Sequence, residues 1–158
     1  MRRLLLTVVL APLVLAGTAL ADAPTKTTIS SGPDTFVVGD LCSFPISITD
    51  SRTVTTITFD NGDVQRHVRV DATLSANGKT VSENDSINVY IDADSPTVRT
   101  IIGAFTRISV PGAGILVLEA GRIVFDVATG AMLFEAGQHD FTFDGEIAAL
   151  CGFLSPTT

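Results

Sequence analysis

Residues 53–92, TVTTITFDNGDVQRHVRVDATLSANGKTVSENDSINVYID, decide the fold class. Apolar and polar residues alternate over 64–74 and again over 80–92, the period of two that is typical of strands with one buried face. Asn61-Gly62 and Asn77-Gly78 are strong hairpin signals, because both residue types tolerate the positive φ of a type I′ turn. The stretch therefore predicts antiparallel strands joined by hairpins.

The pattern extends in both directions, with short strands upstream and strands that are apolar on both faces downstream. Gly103 is expected to form a bulge and Gly121 to bend one long strand. A strand that is apolar on both faces needs cover on both faces. Residues 144–151 supply a candidate cover, since Ile147, Leu150 and Cys151 fall at helical spacing. We expect further strands at 36–38, 42–48, 53–59, 97–110, 115–127 and 131–134.

These elements predict an all-β fold, with about eight antiparallel strands and a short C-terminal helix. Regular hairpin connections favour an up-and-down barrel. A two-layer β-sandwich is the alternative.

Residues 1–21, MRRLLLTVVLAPLVLAGTALA, have the organisation of a secretion signal: a basic start, an apolar run and an A-x-A cleavage site. Residues 22–34 are rich in Thr, Ser and Pro and are interpreted as a flexible leader. Residues 35–158 are expected to form a single β domain. The protein is thus predicted to be secreted, without a membrane anchor after cleavage.

The chain has two cysteines, Cys42 and Cys151, about 109 residues apart near the two ends of the predicted domain. A cysteine pair in an oxidising compartment usually forms a disulfide. A loop of this size is worth roughly 4–5 kcal/mol in the chain-entropy model. We expect the bond to hold the C-terminal helix beside the first core strand.

Charge narrows the possible partners. The chain of 158 residues has a net charge of −7, and loss of the predicted signal removes two of its ten basic residues and no acidic one, which gives about −9. Such a chain offers no basic face for nucleic acid or for anionic lipid surfaces.

Candidate chemistry is sparse. His67, on the polar face of a strand, and His139, in a predicted loop, are the residues that could act as a base or bind a metal. Carboxylates gather at turns, where they could bind calcium but also favour the turn itself. The three groups are Asp60, Asn61 and Asp63; Asp92 and Asp94; and Asp140, Asp144 and Glu146. Since no nucleophile elbow, phosphate loop or zinc spacing is present, no catalytic, cofactor-binding or metal-ligating residue is assigned.

The Cys-Ser-Phe-Pro stretch at 42–45, the hairpin-rich middle and the Ala-Ala-Leu-Cys stretch at 148–151 are similar to a group of small secreted bacterial proteins of the actinobacterial type, which have no known function. The resemblance covers roughly residues 40–153. It implies a secreted all-β domain with a terminal cysteine pair, and it provides no activity and no functional residues.

The leading hypothesis is a non-enzymatic binding module for an apolar small molecule or a protein partner. It rests on the apolar segment 97–134 and on the absence of a catalytic set. One alternative is a small extracellular isomerase or hydrolase that uses His67 or His139 with a carboxylate. The other is a structural protein of the cell envelope.

Overall fold

The computed structural model describes residues 23–138 and 144–156. They form seven strands and one helix, and residues 1–22, with the predicted signal, lie outside the described part. The strands are Thr25–Val38 (β1), Ile46–Thr58 (β2), Val64–Ala76 (β3), Lys79–Ile91 (β4), Val98–Val110 (β5), Gly114–Asp126 (β6) and Met132–Gln138 (β7), and the helix is Asp144–Leu154 (α1).

All seven strands belong to one antiparallel sheet, in which each strand pairs with its neighbours in the chain. The predicted all-β fold with a C-terminal helix is confirmed. In the strand order β1 and β7 stand at opposite edges and do not pair with each other. Closure into the predicted barrel is therefore not confirmed, and the described part of the chain has seven strands where about eight were expected.

The interpretation of 22–34 as a flexible leader is wrong for residues 25–34, which belong to β1. Their Thr and Ser side chains are exposed yet compatible with an edge strand, since β-branched threonine favours extended backbone. Hydroxyl groups pair across to β2, as in Thr28 with Thr55 at 3.1 Å and Ser30 with Thr53 at 3.2 Å. A hydroxyl-rich edge strand has the composition of a linker, and this similarity misled the prediction.

Both predicted hairpins are confirmed, with turns of different length. Asn77 and Gly78 join β3 to β4 directly, with φ values of 52° and 75°, as a type I′ turn requires. The connection between β2 and β3 is longer. It is closed by the Phe59 N–H, which donates to the Asp63 carbonyl at 2.9 Å, and only Gly62 in it has a positive φ.

A row of three glycines crosses β5, β6 and β7, where Gly103 pairs with Gly121 and Gly121 with Gly137. Gly103 and Ala104 pair in regular register, and the ladder shifts between Ala104 and Thr106, so the irregularity lies just beyond Gly103, where the bulge was predicted. Gly121 lies within the continuous β6, as expected. Gly103 has a φ of 145°, and a Cβ on it would collide with the backbone of Ser86 and Ile87. The close approach of β4 and β5 therefore requires glycine.

The core lies at one end of the sheet, where the β3–β4 hairpin and the disulfide are found; we name this the disulfide end. Leu150 and Leu154 of α1 pack there on one face of the sheet, which we name the helix face. The covering role predicted for the C-terminal segment is confirmed at this end. The sheet residues of this core are Ile46, Ala72, Leu74, Val81, Ile108 and Val117.

Three contacts hold α1 in place. The predicted disulfide joins Cys42 to Cys151, with the Cα atoms 5.6 Å apart. From the β3–β4 hairpin, Asn77 donates to the Leu154 carbonyl at 2.9 Å and Lys79 to the Ser155 carbonyl at 2.7 Å. A cation at a helix C-terminus also interacts favourably with the helix dipole. No helix in the described residues is long and apolar enough to cross a membrane.

Candidate functional site

Two connections meet at the opposite end of the sheet, which we name the far end. Alternate turns of a meander lie at the same end, so the β2–β3 turn lies beside the β4–β5 loop. Asp63 joins them, because its Oδ1 accepts the Ala93 N–H at 3.0 Å. The sequence marked these as two separate acidic turns, and the structure brings them together.

A depression of about 510 Å³ opens between these connections and the outer face of the sheet, the face opposite α1. Its floor includes a row across three strands, in which Tyr90 pairs with Gln65 on β3 and Thr100 on β5. We name it the far-end depression. Its lining residues are Phe59, Asp63, Val64, Gln65, Tyr90, Ile91, Asp92, Ser95, Val98 and Thr100.

Hydrogen bonds fix the rim of the depression. The Asn61 side-chain amide donates to Asp63 Oδ2 at 2.7 Å, and the Asp63 N–H donates back to Asn61 Oδ1 at 3.1 Å. In the facing loop, Asp92 Oδ1 accepts the Asp94 N–H at 2.8 Å, and the Asp92 carbonyl accepts the Ser95 N–H at 3.1 Å. The loops are therefore held in shape by contacts of their own.

The depression carries negative charge and aromatic surface. The Ala93 N–H, and after it the Asn61 amide, hold the pKa of Asp63 below its ordinary value, so this carboxyl is ionised at neutral pH. Asp92 is a second carboxylate in the lining. Phe59 and Tyr90, both in the lining, are 39% and 40% exposed.

A pair of carboxyl groups lies elsewhere, on the helix face of β4. Glu83 and Asp85 are two residues apart on one strand face, so each carboxyl group lies near the other. Burial, followed by the charge of Asp85 and that of Asp50, raises the pKa of Glu83 to about 7. Burial also raises the pKa of Asp85, against the opposing effect of the Arg107 N–H, which Asp85 accepts at 3.1 Å.

Sequence reasoning missed this pair, although a signal was present. The alternation that places Val81 and Ile87 on the core side also places Glu83 and Asp85 there. Glu119 on β6 was missed as well. It is only 4% exposed, and its Oε1 has no hydrogen-bond partner in the part of the chain that the structure describes.

His67, the histidine candidate that the structure describes, has no described contact with a carboxylate. His67 is exposed on the outer face, and its Nδ1 lies 3.3 Å from Asn88 Oδ1. It does not line the far-end depression. His139 and Asp140 lie outside the described residues. The side chains of Asp144 and Glu146 are likewise outside the described part, and among the side chains that the structure describes no three His, Cys, Asp or Glu residues are arranged to hold a metal ion.

A separate apolar surface runs along the edge strand β7. Met132, Leu133 and Phe134 are 47%, 57% and 47% exposed, and Arg122 lies over the Phe134 ring, 5.3 Å from its centroid. β7 pairs only with residues 120–125 of β6. The cover predicted for the apolar segment 97–134 thus does not extend to this edge in the described residues.

The chain matches no protein family, no curated protein and no solved structure. Its resemblance to small secreted bacterial proteins stays a prediction.

Proposed function

We propose that the protein is a non-enzymatic extracellular module that binds a small, partly apolar molecule in the far-end depression. The observation that carries the proposal is the depression itself, with a volume of about 510 Å³ and a lining of both aromatic and polar side chains. Small-molecule sites commonly have volumes of roughly 300–1,000 Å³ and combine apolar walls with a few orienting polar groups.

The hydrogen bonds of the rim support this proposal. Asp63 links the two connections, and Asp92 and Ser95 shape the second of them. A site that is already in shape loses less conformational entropy when a ligand binds. The proposal places the ligand at the edge of the sheet, so it does not depend on the interior of a closed barrel.

The extracellular location is part of the proposal. The disulfide between Cys42 and Cys151 is consistent with an extracellular or otherwise oxidising location. The enzyme alternative has less support, because the described contact of His67 is with Asn88 and the depression lining contains no histidine. No observation favours a purely structural role in the envelope.

A second candidate function is docking of a protein partner on β7, favoured by the exposure of Met132, Leu133 and Phe134 on an edge strand. An edge strand offers unpaired backbone groups to which an extended segment can add. This candidate uses a different surface, so the two functions can be tested separately.

Tyr90 allows a direct test of the first proposal, because the chain contains one tyrosine and no tryptophan. Its intrinsic fluorescence therefore reports on the far-end depression alone. We expect members of a library of small amphiphiles to change this fluorescence, and native mass spectrometry of the protein from its own host to show a co-purifying small molecule.

The matched variants are Ser95→Phe and Thr80→Phe. Ser95 lines the depression, so a ring there fills it, whereas Thr80 is exposed at the disulfide end of β4. We expect Ser95→Phe to abolish the response and Thr80→Phe to retain it. A library without a single responding compound, or a response that survives Ser95→Phe in full, would refute the proposal.

A further inference from the structure

We infer that the far-end depression selects organic cations: amines or quaternary ammonium compounds with an apolar body. This inference rests on the proposed function and specifies its ligand. It follows from the combination of a cavity, two aromatic side chains and an excess of negative charge in one lining.

The lining contains two carboxylates and no basic residue. The nearest arginines in sequence, Arg66 and Arg99, alternate with Gln65 and Thr100 and so belong to the helix face of the sheet. The Arg99 guanidinium is already engaged, since it donates to the Pro96 carbonyl at 2.6 Å and the Val98 carbonyl at 3.1 Å. Asp63 and Asp92 are thus left without a cationic side chain in the lining.

Both carboxylates retain acceptor capacity. Each oxygen of Asp63 accepts one described hydrogen bond, and Asp92 Oδ1 accepts one from the Asp94 N–H. A carboxylate has about four lone-pair positions. Positions therefore remain for an ammonium group, which presents donors and no acceptor.

The aromatic side chains favour the same class of ligand. The ring faces of Phe59 and Tyr90 carry negative electrostatic potential and attract cations, an effect that is strongest for organic cations that shed water readily. Val98, which has the same parity as Thr100 and so lies on the outer face, provides apolar contact for the body of the ligand. An inorganic ion would gain nothing from this apolar surface, and no three carboxylates of the described residues are arranged to hold one.

The charge of the whole molecule acts in the same direction. The formal net charge is −7, so cations are attracted toward the protein and anions are repelled. This long-range contribution weakens as salt is added, whereas contact with the rings and the apolar lining does not.

The test uses three probes with one apolar body: 2-cyclohexylethylamine, 2-cyclohexylethanol and 3-cyclohexylpropionate. None of them absorbs where tyrosine does, so Tyr90 fluorescence follows binding directly. We expect the amine to bind about tenfold more tightly than the alcohol, and the carboxylate to bind more weakly than the alcohol. Calcium chloride, tested alone, is expected to leave the fluorescence unchanged.

The matched variants are Asp92→Asn and Asp94→Asn. The amide oxygen of an asparagine at 92 still accepts the Asp94 N–H, so the variant removes charge and keeps the loop contact. Asp94 is a neighbouring exposed carboxylate that does not line the depression. We expect Asp92→Asn to weaken amine binding at least about threefold without changing alcohol binding, and Asp94→Asn to have little effect.

The outcomes separate the two proposals. Equal binding of amine and alcohol would overturn the selection of cations and leave the binding module standing. A fluorescence change with calcium and none with the amine would also overturn it, in favour of a metal site. No response to any of the three probes would count against both proposals.

Discussion

The stability of the protein should fall as pH rises from about 4.5 through about 7, because Glu83 is protonated more readily in the folded state than in the unfolded chain. Between these values the folded state binds more protons than the unfolded state does. A folded-state pKa that is raised in this way stabilises the protein at low pH, and the benefit is lost once both states are ionised.

The structure sets the magnitude. A tenfold change in proton affinity corresponds to about 1.4 kcal/mol, so a rise of the Glu83 pKa from 4.5 to about 7 corresponds to at most about 3 kcal/mol. Glu83 is partly exposed, and solvent screens its interaction with Asp85 and Asp50. We therefore expect about 1–2 kcal/mol less stability at about pH 8.5 than at about pH 5 from this group.

The assay is urea unfolding of wild type and Glu83→Gln at both pH values, followed by circular dichroism. A glutamine cannot ionise and can still donate a hydrogen bond to Asp85. Glu83→Gln should therefore match wild type at about pH 5 and exceed its stability by about 1–2 kcal/mol at about pH 8.5. Asp60→Asn, a change in an exposed turn, is the control and should show no such difference between the two pH values. Equal destabilisation by Glu83→Gln at both pH values would refute the reasoning.

Three further substitutions test the fold by thermal or urea unfolding. Cys42→Ser should lower the free energy of unfolding by about 2–5 kcal/mol, and an unchanged melt of oxidised protein would contradict the disulfide. Gly103→Ala should lower the free energy of unfolding by about 2 kcal/mol or more, since its Cβ would meet the backbone of β4. Gly39→Ala, whose Cβ would meet nothing within 4 Å, is the control and should change it by at most about 0.5 kcal/mol. Similar values for the two variants would refute the close approach of β4 and β5. Lys79→Met should lower the free energy of unfolding by about 1 kcal/mol, because its hydrogen bond to the Ser155 carbonyl at the end of α1 is lost. Lys26→Met, on the exposed β1, is the control. Equal losses in the two variants would show that this hydrogen bond contributes nothing.

The middle of the sheet was predictable from sequence because two independent signals agree there. Alternation predicted strands over 64–74 and 80–92, and the structure has β3 at Val64–Ala76 and β4 at Lys79–Ile91. The Asn-Gly turn at 77–78 fixed the register between them, since a two-residue turn leaves one way to pair the flanking strands.

The first strand was not predictable, for a physical reason. Residues 25–34 contain many hydroxyl side chains and expose nearly all of them, so hydrophobic periodicity gives no signal. Their partner in the hydroxyl pairs, β2, is itself rich in threonine. Pairing of two such strands depends on backbone ladder bonds and on contacts like that of Thr35 with Thr49 at 2.9 Å, which composition does not reveal.

The far-end depression was predictable in part. Both acidic turns were recognised in the sequence, and a hairpin meander places alternate turns at one end of the sheet. The bond from the Ala93 N–H to Asp63 depends on the five-residue connection 59–63, whereas the predicted strands left a connection at 60–63. The meeting of the turns could therefore be inferred from topology, whereas the depression between them could not.

The stabilising contacts and the proposed binding site lie at opposite ends of the sheet. The disulfide, the helix and most of the buried core lie at one end, and the far-end depression lies at the other, beyond the reach of α1. Strands of 13 residues such as β3 and β4 connect them, with a length of about 43 Å at 3.3 Å per residue. Substitutions in the depression should therefore change binding at little cost in stability, because effects of distant residues add with little coupling. An exposed site on such a scaffold can vary its lining while the covalently held end keeps the fold, and this separation is what a binding module requires.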